Sequence, residues 1–124
     1  MGDLGGRYAA YTTRLVDGVL ASPGHTPAEL RRAVLVRAFG APGEEDILPA
    51  LAAYVDKVAR HAYRVTDEDL AALQRAGNSD DALFELTVSA ALGAALGRLE
   101  RGLAALRESS PPVPLSATRR GGTQ

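Results

Sequence analysis

Apolar side chains recur at helical spacing through residues 79–106, which form the longest and most apolar helical pattern in the chain. Steps of three and four positions place one stripe of side chains on a single helix face. This leucine stripe comprises Glu85, Val88, Leu92, Leu96, Leu99, Leu103 and Leu106. Two other faces carry Leu86, Ala90, Gly93 and Gly97, and Phe84, Ala91 and Ala95. Since this helix is apolar on almost every side, we predict that it is the central, buried helix of the fold.

Four shorter helical patterns precede the long helix, at about residues 7–21, 27–39, 49–62 and 67–76. Thr26 and Glu29 have the spacing of a capping box before the second helix, and Thr66 and Ser79 are suited to cap the last two. No stretch alternates apolar and polar residues as a half-buried strand does. The sequence therefore predicts an all-α fold of about five helices, with a long central C-terminal helix.

The two ends of the chain differ from this helical region in composition. Residues 1–6 are rich in glycine, and residues 108–124 contain three prolines and few apolar side chains to bury. We therefore expect a flexible N-terminus over residues 1–6 and one helical domain over residues 7–107. Residues 108–124 are expected to form a disordered tail.

Composition argues against several classes of function. The 124 residues carry a net charge of -1 at pH 7, which argues against an electrostatic nucleic-acid partner. With no cysteine, the chain has no thiol nucleophile, disulfide or cysteine-ligated metal. The longest uncharged run, residues 86–97, is too short for a membrane span, and no basic segment followed by an apolar one marks a signal peptide. We expect a cytoplasmic protein that has no membrane segment and binds no metal or cofactor.

Two segments carry a family resemblance: VTDEDLAALQRAG at residues 65–77 and SDDALFELTVSAALGAAL at residues 79–96. Together they show a short helix with an acidic first turn, a glycine, and a long helix rich in alanine and glycine. In this respect the chain resembles the C-terminal part of the carboxymuconolactone decarboxylase / alkylhydroperoxidase D superfamily, over less than half of its length. The resemblance implies an all-helical fold that assembles into trimers or hexamers.

The resemblance also implies which activity is absent. In the peroxidase branch, a Cys-x-x-Cys pair is followed four residues later by a histidine. Aligned through Gly77 without a gap, these positions fall on Ala62, Val65 and Asp69, so thiol peroxidase activity is not expected. The decarboxylase branch needs no cysteine pair, but its active-site residues have no matching positions here. Its catalytic glutamate belongs to an earlier helix, so Glu85 does not inherit that role.

Three residues are candidates for acid–base chemistry: Glu85, His61 and Tyr63. If Glu85 is buried on the leucine stripe, its pKa rises and it could act as a general acid or base. The alternative is a structural role, in which Glu85 is a partly exposed carboxylate paired with an arginine. Histidine can transfer protons near neutral pH, but a lone histidine at a helix end, such as His61, more often interacts with the helix dipole. His25 and His61 do not have the spacing of a metal site.

Two hypotheses about function follow. The first is a non-catalytic oligomeric or small-molecule-binding module. The second is an acid–base enzyme of carboxymuconolactone decarboxylase type, which requires Glu85, His61 and Tyr63 to line one pocket. Gly93 and Gly97 allow another helix to approach closely, within one chain or between chains. Because the long helix has more apolar surface than four short helices cover, we predict a homo-oligomer, a trimer or a multiple of it, assembled through residues 79–106.

Overall fold

The computed structural model describes residues 2–21, 23–41 and 47–109 of the chain. Helices make up 85% of these residues, and no strand occurs among them. The five α-helices are α1 (Gly2–Ala21), α2 (Ala28–Phe39), α3 (Pro49–His61), α4 (Asp67–Arg75) and α5 (Asp80–Ser109). A 3-10 turn, Ala62–Arg64, follows α3. The predicted all-α fold of five helices with a long C-terminal helix is confirmed.

Polar side chains begin α4 and α5 as the sequence predicts. At α4, the Thr66 hydroxyl accepts a hydrogen bond from the Asp69 amide at 3.2 Å, and the Asp69 carboxylate accepts one from the Thr66 amide at 2.9 Å. At α5, the Ser79 hydroxyl accepts a hydrogen bond from the Ala82 amide at 3.1 Å. These bonds satisfy amides that have no partner inside the helix, so local sequence determines where both helices begin.

The start of α2 differs from the prediction. Thr26 does not form a capping box with Glu29, because the N-cap residue is Pro27 and no side chain caps the helix there. The amide and hydroxyl of Thr26 instead donate hydrogen bonds to the carboxylate of Glu85 on α5. The tertiary contact prevails because one charged acceptor binds both donors of Thr26, and hydrogen bonds to charged groups are the stronger ones.

Helix α1 begins earlier and α5 ends later than predicted. Residues 2–6, expected to be flexible, form the first turns of α1. Lengthening an existing helix costs little, so the low helix propensity of glycine is a weak signal there. Helix α5 continues to Ser109, two residues into the expected tail. The rest of that tail, residues 110–124, lies outside the described residues, as do residues 42–46.

Helices α2 and α5 form the most extensive contact between elements. Gly93 and Gly97 of α5 lie directly on the backbone of α2. A Cβ on Gly93 would overlap the carbonyl oxygen of Leu35, and one on Gly97 would lie 2.5 Å from the carbonyl oxygen of Phe39. The close approach that these glycines permit therefore occurs within one chain, and a contact between chains must use another face of α5.

Helix α3 lies along a second side of α5 and runs in the same direction. The hydroxyl oxygens of Tyr54 and Thr87 are 2.7 Å apart. Farther along both helices, Arg98 donates a hydrogen bond to the carbonyl oxygen of Ala59 at 2.7 Å. The end of α3 is therefore beside the second half of α5, away from the start of α5.

Helix α4 returns in the opposite direction. Near its start, Asp69 binds Lys57 of α3 at 3.0 Å, and near its end Gln74 donates a hydrogen bond to Asp80 at the start of α5. Helix α1 contacts α2 and, less extensively, a third side of α5. The chain segment that joins α1 to α2 also contacts the start of α5, where Glu85 accepts its hydrogen bonds.

The core lies between α2, α3, α4 and α5. Its buried apolar residues are Val34, Ala38, Leu51, Tyr54, Val55, Val58, Leu73, Leu83, Leu86, Ala90 and Ala94. On α5 these residues belong to the sides that face α2 and α3. The leucine stripe is less covered, since Leu99 is 39% exposed and Leu106 is 62% exposed. Helix α5 is therefore central, as the sequence predicts, but its four neighbours leave one of its sides exposed.

We call the uncovered side of α5 the open face. It consists of Phe84, Val88, Ala91, Ala95, Leu99, Gly102 and Leu106, all of which are exposed. At 3.6 residues per turn and 1.5 Å per residue, these positions fall within an arc of about 80° and extend over about 33 Å. Four charged side chains lie in the same stretch but on other sides of the helix: Glu85 binds the α1–α2 connection, Arg98 binds α3, Arg101 binds α2, and Glu100 borders α1. The open face itself carries no charge.

Among the described helices, α5 is long and apolar enough to cross a membrane by length and composition alone. Core helices of soluble proteins pass the same test, and 39% of its most apolar window is buried inside the domain. On its buried side, Gly93 and Gly97 lie directly against the backbone of α2. These contacts within the domain are typical of a core helix with one free side.

Candidate functional site

The carboxylate of Glu85 binds the segment that joins α1 to α2. Its Oε2 accepts a hydrogen bond from the His25 amide at 2.7 Å. Its Oε1 accepts two hydrogen bonds from Thr26, one from the amide at 2.9 Å and one from the hydroxyl at 2.7 Å. Since Glu85 lies in the second turn of α5, these contacts attach the connection to the start of the long helix.

Arg31 of α2 contacts this carboxylate from the interior. Its side chain is only 5% exposed, and its Nη1 lies 3.5 Å from Oε1 of Glu85. The guanidinium donates hydrogen bonds to the carbonyl oxygen of Thr26 at 2.8 Å and to that of Leu20 at 3.2 Å. Arg31 therefore links the end of α1, the connection and α5, and these partners compensate for burying its charge.

The surroundings of Glu85 favour its ionised form. The hydrogen bond from the His25 amide, followed by that from the Thr26 hydroxyl, lowers the pKa of Glu85 below its ordinary value, and burial opposes this without cancelling it. A general acid or base works best with a pKa near the operating pH, so a lowered pKa does not suit that role at neutral pH. The geometry agrees with the structural alternative, a partly exposed carboxylate paired with an arginine.

Gly24 is the residue that lets the connection approach this ion pair. A Cβ at this position would lie 2.5 Å from Nη1 of Arg31 and 2.7 Å from Oε2 of Glu85. These separations are too short for a carbon atom, so with any other residue either the connection or the two charged groups would have to shift. The path of the connection therefore depends on a glycine beside two charged side chains.

A small pocket opens beside the Glu85–Arg31 pair. Its volume is about 150 Å³, and it is lined by Val19, Pro23, Gly24, Arg31, Phe84, Glu85 and Val88. Ligand pockets usually have volumes of about 300–1,000 Å³. A cavity of about 150 Å³ is large enough for a molecule the size of benzene, or for one apolar side chain. Phe84 and Val88 also belong to the open face, so the pocket adjoins that face.

His61 and Tyr63 lie together at the end of α3. His61 is the last residue of α3, and Tyr63 lies in the 3-10 turn that follows. Their rings meet edge to face with centroids 6.0 Å apart, and Tyr63 is 79% exposed. The guanidinium of Arg64 lies 5.6 Å from the centroid of the Tyr63 ring. These contacts form a surface cluster of aromatic and cationic side chains.

The three candidate residues do not converge within one chain. Glu85 faces the α1–α2 connection, whereas Ala59, two residues before His61, is bound by Arg98. Glu85 and Arg98 are 13 positions apart on α5, which corresponds to about 20 Å at 1.5 Å per residue. A single chain therefore does not form the pocket shared by Glu85, His61 and Tyr63 that the acid–base hypothesis requires.

The sequence does not reveal the residues that surround Glu85. The sequence assigns Thr26 to a local cap and Gly24 to the break after the first helix, and it gives Arg31 no role. A signal exists for Arg31, which stands three and four positions before two buried residues, Val34 and Leu35, and so shares their helix face. A charged residue on a buried face indicates a buried ion pair. Identifying its partner requires knowing which helices are neighbours.

The candidate site thus consists of an ionised carboxylate, a buried arginine and a small pocket next to the open face. Among the described residues, no group of three His, Asp or Glu side chains is placed to hold a metal ion. In comparisons with known proteins, no family model, no curated protein and no solved structure matches this chain.

Proposed function

We propose that this chain is a non-catalytic helical module that associates with copies of itself through the open face of α5. The observation that supports this proposal is the open face itself, an exposed strip without charge over about 33 Å of helix. Three large side chains of this face, Phe84, Leu99 and Leu106, are 70%, 39% and 62% exposed. Monomeric soluble proteins rarely expose contiguous apolar patches larger than a few hundred Å², and such patches commonly mark association sites.

The resemblance to the carboxymuconolactone decarboxylase / alkylhydroperoxidase D superfamily supports the same proposal, because it implies helical subunits in trimers or hexamers. In this proposal the chain is a cysteine-free relative without thiol peroxidase activity. The absence of cysteine from all 124 residues is in keeping with the cytoplasm, where disulfides seldom form.

Acid–base catalysis and small-molecule binding have less support. The acid–base hypothesis needs Glu85 beside His61 and Tyr63, and those side chains lie at different ends of the domain. The hydrogen bonds to Glu85 also lower its pKa, which favours a structural role. The pocket beside Glu85 has a volume of about 150 Å³, below the range usual for ligand sites. A role in association requires neither feature.

Sedimentation velocity over a range of micromolar concentrations tests this proposal. Ala95 lies in the middle of the open face, so Ala95→Glu places a charge there without filling the core. We expect the unmodified chain to associate reversibly and Ala95→Glu to raise the dissociation constant at least about ten-fold, because an interface must desolvate the new carboxylate.

Ala72→Glu is the matched control, since Ala72 is an exposed alanine on α4, away from the open face. This variant should associate like the unmodified chain. A single species of monomer mass at every concentration for the unmodified chain would contradict the proposal. Equal association of the two variants would show that association uses another surface.

A further inference from the structure

We propose that two copies of the chain pair through α5 in antiparallel orientation, with the two-fold axis at Ala95. This inference rests on the proposed function and specifies the partner, the orientation and the register of the contact. It is carried by three properties of the open face: the spacing of its residues, their sizes, and the charges at the ends of α5.

The spacing of the open face is symmetric. Its positions 84, 88, 91, 95, 99, 102 and 106 follow one another by steps of 4, 3, 4, 4, 3 and 4 residues. These steps read the same in both directions from Ala95. An antiparallel partner centred on Ala95 therefore places an open-face residue opposite every open-face residue. Other antiparallel registers leave some of these side chains opposite residues that face neighbouring helices.

The sizes of the side chains are complementary in this register. Val88 faces Gly102 of the partner, where a Cβ would meet nothing within 4 Å, so the valine has room. Leu99 faces Ala91 of the partner, and Ala95 faces Ala95 of the partner at the axis. Small residues at a helix crossing allow close contact, and large residues opposite small ones fill the space between helices. Phe84 then meets Leu106 of the partner at each end.

A parallel pair in register would lack this complementarity. It would place Phe84 against Phe84 of the partner and Gly102 against Gly102 of the partner. The bulky residues would hold the helices apart while the small residues left gaps, and unfilled gaps lose packing energy.

The charges at the ends of α5 also favour the antiparallel pair. Asp80 and Asp81 lie in the first turn of α5, and Arg107 lies in its last turn. In the antiparallel register, the last turn of the partner, which contains Arg107, lies level with the acidic first turn; Arg107 itself borders α1, so this attraction acts between the helix ends and not through a direct contact. A parallel pair would instead bring the acidic first turns of both copies together and align both helix dipoles, which is unfavourable.

The contact has the size of a weak, transient interface. A strip about 33 Å long on a helix about 10 Å wide covers roughly 330 Å² of each partner. A stable interface covers about 800 Å² per partner, and weak interfaces fall below that size. Leu15 on α1 is 56% exposed and lies one turn from Val19, which shares the small pocket with Phe84, so it extends the contact. We therefore infer weak, reversible association.

The proposed contact uses the same surface of both copies. Such an isologous contact closes on itself and generates even-numbered assemblies, namely dimers or multiples of dimers. A hexamer built from three such dimers is consistent with it. A trimer joined only through α5 is inconsistent with it, because a three-fold contact joins two different surfaces.

Single cysteine variants test the register, and the natural chain contains no cysteine that would interfere. Val88→Cys and Gly102→Cys are made separately, mixed in equal amounts with one of them lengthened by a tag, and oxidised mildly. Disulfides require Cα atoms within about 7 Å, so only facing positions react quickly. We expect the mixed dimer, identified by its mass, to form at least about ten-fold faster than either homodimer. Ala28→Cys on α2, exposed and outside the open face, mixed with Val88→Cys is the control for random collisions.

Each outcome supports or overturns the inference. Preferential formation of the mixed Val88→Cys and Gly102→Cys dimer supports the antiparallel register. Faster formation of the homodimers overturns it in favour of a parallel pair. A protein that is dimeric by sedimentation but shows no excess over the control overturns the register and leaves the proposed association standing. A chain that is monomeric at every concentration overturns both proposals, and its flotation with phosphatidylcholine vesicles would identify a lipid surface as the partner instead.

Discussion

Replacing Gly93 with alanine tests the contact on which the fold depends most. Gly93 is buried at the crossing of α5 and α2, and the added Cβ would overlap the carbonyl oxygen of Leu35. It would also lie 3.1 Å from the Cβ of Ala38. A carbonyl oxygen inside a helix cannot rotate away as a side chain can, so α2 must move as a unit to make room.

The expected cost follows from two opposing effects. Overpacking a well-packed site costs about 1–3 kcal/mol, and a clash with backbone belongs at the upper end of that range. Alanine in place of glycine in a helix interior contributes about 0.5–1 kcal/mol of stability. The net loss is therefore about 2 kcal/mol, and for a domain of this size each kcal/mol lowers Tm by about 4–8 °C. We expect Tm of Gly93→Ala to fall by about 8–16 °C.

Thermal unfolding followed by circular dichroism measures this change. The matched control is Gly18→Ala, which makes the same substitution within α1 at an exposed site where a Cβ would meet nothing within 4 Å. The control should raise Tm by a few degrees, since it has the helix-propensity gain without the clash. A Gly93→Ala protein as stable as the unmodified chain would refute the packing of α2 directly on the backbone of α5.

Three further predictions concern the contacts of Glu85 and the absence of thiol chemistry. The lowered pKa of Glu85 means that its carboxylate stabilises the fold above the ordinary value of 4.5, and this contribution is lost as the pH falls through the lowered pKa. Glu85→Gln should therefore lower Tm at about pH 7 and lower it less at about pH 3, and an equal effect at both would contradict this role. Gly24→Ala should lower Tm, because the added Cβ would contact Arg31 and Glu85. Gly6→Ala, at a site where a Cβ would meet nothing within 4 Å, should not lower Tm. A Gly24→Ala protein with the Tm of the unmodified chain would show that the Glu85–Arg31 pair tolerates a side chain there. Purified protein should not reduce peroxide with a dithiol reductant, because it has no thiolate, and measurable turnover would disprove this.

Helices and their ends are determined largely by local sequence in this protein. The spacing of apolar residues predicts all five helices, and the caps at Thr66 and Ser79 form as expected. Each cap involves residues only three positions apart. Such contacts form wherever the local sequence allows them, so they can be inferred without knowledge of the fold.

The candidate site is a different case, because its parts come from distant segments. The Glu85 carboxylate accepts its hydrogen bonds from residues about sixty positions earlier, and Arg31 approaches it from another helix. The prediction for Thr26 is wrong for this reason: a charged acceptor from α5 replaces its local partner. Proposals that place Glu85, His61 and Tyr63 together also need tertiary information, since nothing in their spacing gives the direction of α3 relative to α5.

The sequence by itself determined the helical class, the number of helices and the absence of thiol chemistry, because each depends on local spacing or on composition. The tertiary structure alone decided which face of α5 is buried. The leucine stripe has the larger side chains, yet the side with Gly93 faces α2, because only a surface of small residues lets two helix backbones come so close. That choice leaves Phe84 and Leu106 on the solvent side and creates the open face. The burial of a helix face depends on the shape of its neighbour as well as on its own hydrophobicity, and the neighbour is specified only by the folded chain.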